Sequence, residues 1–133
     1  MRRLLLAIAL LAGVGPAAAQ DTAGIREVIS RQIEAMRADD FDTAFGFASP
    51  GIQRKFGGPA RFGKMVRDGY PMVWHPRAVR FLDVVTEGGR TVQGVLVTDE
   101  AGALHVLDYD MVPLDGGWRI DGVRIRDGVT GGV

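Results

Sequence analysis

The stretch from Val79 to Arg126, VRFLDVVTEGGRTVQGVLVTDEAGALHVLDYDMVPLDGGWRIDGVRIR, decides the fold. It holds four runs rich in β-branched and aromatic residues: Val79 to Thr86, Thr91 to Thr98, Ala103 to Leu114 and Trp118 to Arg126. Between them stand Gly88-Gly89, Glu100-Ala101-Gly102 and Asp115-Gly116-Gly117, residue types that tolerate the backbone of tight hairpin turns. The spacing predicts a four-stranded antiparallel meander.

Upstream the period changes from two to between three and four. Ile25, Val28, Ile29, Ile33 and Met36 recur at helical spacing, with Arg26, Glu27, Arg31, Glu34 and Arg37 between them, which is the pattern of an amphipathic helix. Asp39-Asp40 ends this helix and offers an N-cap to a shorter second one, in which Phe41, Ala44, Phe45 and Ala48 share a face. Ser49-Pro50-Gly51 closes it, and a short turn around Ile52 to Phe56 follows. Gly57-Gly58-Pro59 then opens a third helix that turns Phe62, Met65 and Val66 inward, with Gly69 and Pro71 as its stop. Three N-terminal helices ahead of an antiparallel sheet predict an α+β domain with the helices on one face of the sheet.

Residues 1–19 read as an export leader. Arg2 and Arg3 precede the apolar run Leu4 to Val14, Gly15 and Pro16 break it, and Ala17-Ala18-Ala19 predicts cleavage before Gln20. The run is shorter than the roughly 20 residues a membrane-spanning helix needs, so the expected product, residues 20–133, is soluble and periplasmic or secreted. Its roughly 114 residues suit one compact domain. With no cysteine in the chain, disulfides, thiolate metal sites and a cysteine nucleophile are excluded, and packing alone must hold the core.

Charge is balanced overall, and without Arg2 and Arg3 the chain carries 14 basic and 16 acidic side chains, which gives no general attraction to nucleic acid. The distribution is uneven: residues 50–80 hold seven basic groups and one acidic. Arg54, Lys55, Arg61, Lys64 and Arg67, with Arg77 and Arg80 beyond them, would either rim a pocket for an anion or partner, or pair with the chain's own acidic strands.

Strand parity sorts the candidate site residues. In the third strand His105, Leu107, Tyr109 and Met111 share one face, while Leu104, Val106, Asp108, Asp110 and Val112 share the other. The first set mixes bulk with two polar tips, as small-molecule pockets do. Trp74 and Tyr70, on the link between helix and sheet, are placed to support or cap a cavity mouth. If the acidic face were inward instead, Asp108 or Asp110 would be a general base, with Tyr109 or His105 as electrophilic helper. His75 and His105 are the only histidines and do not make a metal site between them, and neither Ser30 nor Ser49 sits in a G-x-S-x-G elbow. No phosphate-binding G-x-x-x-x-G-K occurs, and no cofactor or metal is expected.

The segment Phe56-Gly57-Gly58-Pro59 with Phe62, Met65-Val66, Tyr70, Val73 and Pro76 resembles an exported bacterial family, domain of unknown function 4864. So do Tyr109-x-Met111 and the closing Gly117-Trp118-Arg119-Ile120-x-Gly122-Val123, and the likeness runs from about Ile25 to Ile125. The element order is also similar to the nuclear transport factor 2-like, or cystatin-like, superfamily. That resemblance implies a cone, in which a curved sheet wraps helices around a cavity. The superfamily contains isomerases and dehydratases as well as non-catalytic binding modules, so it assigns no chemistry and no catalytic residue.

Three readings follow. The first is a non-enzymatic module that binds a small apolar or amphipathic anion, or a protein, through Tyr70, Trp74, His105, Tyr109 and Met111, with the basic residues at the rim. The second is a cofactor-free proton-transfer enzyme using Asp108 or Asp110. The third is a structural homodimer built on the outer sheet face.

Overall fold

The computed structural model describes the backbone of residues 14–126 and the side chains of residues 21–126. The expected leader, apart from the backbone of 14–19, and the glycine-rich tail from Asp127 onward lie outside the described residues. Five helices precede four strands: α1 (Val14–Arg37), α2 (Phe41–Gly46), α3 (Pro50–Phe56), α4 (Pro59–Gly69), α5 (Pro71–Trp74), β1 (Ala78–Glu87), β2 (Arg90–Thr98), β3 (Leu104–Leu114) and β4 (Gly117–Ile125). Among the described residues no helix is long and apolar enough to cross a membrane.

The α+β class and the antiparallel sheet stand, and the count of three helices is corrected to five among the described residues. Both additions begin at a proline where the sequence predicts a stop. Pro50 occupies the first turn of α3, and the Ser49 hydroxyl caps it by accepting from the Ile52 amide at 3.2 Å. Pro71 likewise opens α5. Proline lacks an amide hydrogen that the first helical turn does not use, so it starts a helix as readily as it ends one.

α1 closes as its sequence suggests. Asp39 takes a left-handed φ of 57°, and the amides of Asp39 and Asp40 bond back to the carbonyls of Met36 and Ala35 at 2.9 and 2.8 Å, a Schellman closure. Asp40 then caps α2 by accepting from the Thr43 amide at 3.2 Å.

The sheet runs in the order β1-β2-β3-β4, every pair antiparallel. Gly88-Gly89 and Asp115-Gly116 make two of its turns, each with positive φ at both residues. Two irregularities interrupt the register. In β1, Leu82 and Asp83 together oppose Gly94, and Leu82 Cβ would lie 3.2 Å from any Cβ added there, so only glycine fits without displacement. In β4, Asp121 is the extra residue between Ile120 and Gly122.

The core lies between the helices and one sheet face. Ile25, Ile29, Ile33 and Met36 of α1 pack with Val95 and Val97 of β2, Leu107, Tyr109 and Met111 of β3, and Ile120 of β4. On the opposite face Asp108 pairs with Arg126 at 2.6 Å and Asp110 with Arg124 at 2.9 Å. The Asp108 hydrogen bond is the first cause that raises the Arg126 pKa above its ordinary value.

Candidate functional site

A cavity of about 340 Å³ opens where α1, α3 and α4 meet β3 and β4. Helical spacing builds most of its wall. On α4, Phe62, Met65 and Val66 fall on one side and face the cavity, while Arg61, Lys64 and Arg67 fall on the other. Met36 and Gln32 of α1, Val73 of α5 and Ile120 and Val123 of β4 continue the lining, which is mainly apolar. Gln32 is the polar member of the otherwise apolar α1 stripe, and its Nε2 donates to the Ala44 carbonyl at 3.2 Å.

Two phenols border this space. Tyr70 is partly exposed, and its hydroxyl donates to the Val123 carbonyl at 3.0 Å. Tyr109 is 0% exposed, and its hydroxyl has no hydrogen-bond partner among the described residues. Burial, with a smaller contribution from neighbouring Tyr70, pushes the Tyr109 pKa well above the ordinary phenol value. It is therefore a neutral donor at any ordinary pH. A buried hydroxyl without a partner costs on the order of 1–3 kcal/mol, so its retention beside a cavity is an unusual expense of stability.

Charges stand at the mouth: Lys55 on α3, and Asp110, Asp121 and Arg124 on the sheet. Asp110 is engaged by Arg124 at 2.9 Å and more distantly by Arg90 at 3.8 Å. Asp121 accepts from the Ser49 hydroxyl at 2.7 Å, so one serine ties the cap of α3 to the irregular residue of β4. Lys55 makes no ion pair with the described residues.

The residues singled out from sequence do not converge on one place. Tyr70 and Tyr109 reach this cavity, whereas Trp74 and His105 line a second hollow of about 330 Å³ with His75 and Asp99. Met111, 3% exposed, belongs to the core and lines neither. The separation follows from strand geometry, since four residues along β3 place His105 about 13 Å from Tyr109 at roughly 3.3 Å per residue. Of the five basic residues expected at a rim, Lys55 borders the cavity and Arg54, Arg61, Lys64 and Arg67 do not. Lys64 pairs with Asp68 one turn on, at 2.7 Å, and the Arg67 guanidinium lies 5.0 Å from the centre of the Phe41 ring.

In the second hollow, His105 Nε2 stands 2.8 Å from Asp99 Oδ2. An ionised carboxylate only accepts, so Nε2 carries the proton. The His105 hydrogen bond, then the Ala103 amide, hold the Asp99 carboxyl below the usual carboxylate range. A depressed folded-state pKa makes the ionised group stabilising above the unfolded value of about 3.9, and that stabilisation is lost as pH falls through the folded value. Asp99→Asn should therefore lose less stability than the parent between about pH 4 and pH 2. Urea unfolding at several acidic pH values measures this, and parallel pH slopes would refute it.

Among the described residues no three histidine, cysteine, aspartate or glutamate side chains gather as a metal-binding group. No curated protein and no solved structure matches the chain. Residues 18–130 match the family described as Domain of unknown function (DUF4864), a span that takes in every strand and every wall of the cavity, and the chain belongs to that family.

Proposed function

We propose that this chain is an exported, non-enzymatic binding module that takes a small amphipathic molecule into the cavity between α3, α4 and the β3–β4 side of the sheet. The observation that carries this reading is the mainly apolar cavity of about 340 Å³ lined in part by Tyr109, whose buried hydroxyl has no partner among the described residues. Its size falls at the lower end of the roughly 300–1,000 Å³ range of ligand pockets, which suits a compact guest. Arg2-Arg3, the apolar run after them and Ala17-Ala18-Ala19 support export, and helices followed by a sheet with two register breaks support the cone of the nuclear transport factor 2-like superfamily.

Of the two aspartates the proton-transfer reading names, Asp110 borders the cavity and Asp108 does not. The Asp110 carboxylate is engaged by Arg124 and Arg90 rather than left free for a substrate proton. The binding reading is therefore preferred.

A neutral fluorescent probe, N-phenyl-1-naphthylamine, tests it. Saturable fluorescence enhancement is expected from the purified chain, and Met65→Trp, which adds bulk at a partly exposed wall position, should weaken it about tenfold, or roughly 1.4 kcal/mol. Circular dichroism and urea unfolding of the variant establish that it folds. Non-saturable enhancement, or an unchanged affinity in the folded variant, would remove the reading.

A further inference from the structure

The polarity of the cavity narrows the class of guest. We infer that the cavity selects an uncharged ligand with a hydrogen-bond acceptor, a ketone, ester or lactone carbonyl, which accepts from the Tyr109 hydroxyl while an apolar body fills the space beside Phe62 and Val66. This rests on the binding reading above and adds the chemistry of the group that enters first.

Three observations carry it. Tyr109 is 0% exposed and its hydroxyl donates to no group of the described residues, although nearly all buried polar atoms in folded proteins have partners. The neighbouring phenol does not supply the missing partner, because Tyr70 commits its proton to the Val123 carbonyl and makes no hydrogen bond with Tyr109. Finally, of the charged side chains that line the cavity among the described residues, Lys55, Asp121 and Arg124 are exposed, and Asp110, 16% exposed, is paired with Arg124. The two cations among the described lining residues, Lys55 and Arg124, are both exposed, whereas Tyr109 is buried, and a desolvated anion held by one neutral donor is strongly disfavoured. A carbonyl oxygen meets the hydroxyl's need without that penalty.

A matched set of bicyclic probes separates the possibilities by calorimetric titration of the purified chain: 2-acetylnaphthalene, 2-ethylnaphthalene and 2-naphthoate. The acetyl compound is expected to bind about fivefold more tightly than the ethyl compound, the usual yield of one net neutral hydrogen bond. The naphthoate should be the weakest of the three. In Tyr109→Phe the acetyl advantage should vanish while the affinity for 2-ethylnaphthalene holds, which also shows that the variant keeps its cavity. The ligand-free variant should unfold at no lower urea concentration than the parent, because the change removes an unpaired hydroxyl. Equal binding of the acetyl and ethyl compounds, tightest binding of naphthoate, or an acetyl advantage that survives in Tyr109→Phe would overturn this inference and leave the cavity reading standing. Failure of all three probes to bind would overturn both.

Discussion

Leu107→Ala is expected to lower the free energy of unfolding by about 3 kcal/mol, while Leu104→Ala three residues earlier should change it by less than about 0.5 kcal/mol. The two residues sit on the same strand and carry the same side chain, so the contrast isolates the face they occupy. Leu107 is 0% exposed against the helices, and Leu104 is 46% exposed on the opposite face. Truncating Leu107 removes transfer energy and leaves a void among Val95, Tyr109 and the α1 isoleucines that close packing cannot readily refill. Urea titrations of both variants decide the matter. Similar losses would mean that β3 does not present its Tyr109 face to the core, and the ligand argument would fall with it.

A second large effect is expected at Gln93, which is 0% exposed. Its Nε2 donates to the Leu82 carbonyl at 2.6 Å and to the Gly94 carbonyl at 2.7 Å, serving the place where β1 breaks register. Gln93→Glu keeps the shape and replaces this donor with an acceptor facing two carbonyl oxygens. At pH 7 the variant must either bury an unpaired carboxylate or take up a proton, and a loss of about 3 kcal/mol is expected. Because burial raises the folded-state pKa of such a group, the penalty should shrink as pH falls toward the unfolded value of about 4.3, where the carboxyl is protonated and can donate once. Urea midpoints at pH 7 and pH 4.5 report both parts. A parent-like midpoint at pH 7, or a deficit that does not change with pH, would contradict the role assigned to Gln93.

Much of this architecture is legible in the sequence because it depends on local chemistry. The four strands and their turns follow from paired turn residues at regular intervals, and the closure of α1 follows from Asp39-Asp40. α3 and α5 are less readable, since Ser-Pro and Tyr-Pro serve a helix start or a helix stop depending on where the chain is already heading. The register break in β1 has its clearest sign on another strand, in Gly94, and pairing is needed before that glycine acquires meaning. The site was legible only in part for the same reason. Periodicity tells which side of α4 faces inward, and parity tells which side of β3 does. Neither tells that Tyr70 and Tyr109 share a hollow while Trp74 and His105 share another, because that depends on how far along each strand the helices cross. A further readable sign of the site is Gln32, a polar residue inside an apolar helical stripe. On α3, Arg54 and Lys55 are neighbours in sequence but about 100° apart around the helix, so one borders the cavity and the other does not.

The short bridge between Ala48 and Ile120 bears on how a guest gets in. The Ser49 amide bonds to the Ile120 carbonyl at 2.8 Å and the Ile120 amide to the Phe47 carbonyl at 2.9 Å, so the peptide leading into α3 is stitched to β4. That jamb cannot swing aside without cutting both stitches and the Ser49 to Asp121 contact next to them. If the cavity takes the guest proposed above, an entrance pinned on this side would sort molecules by girth before the phenol inside could sort them by polarity.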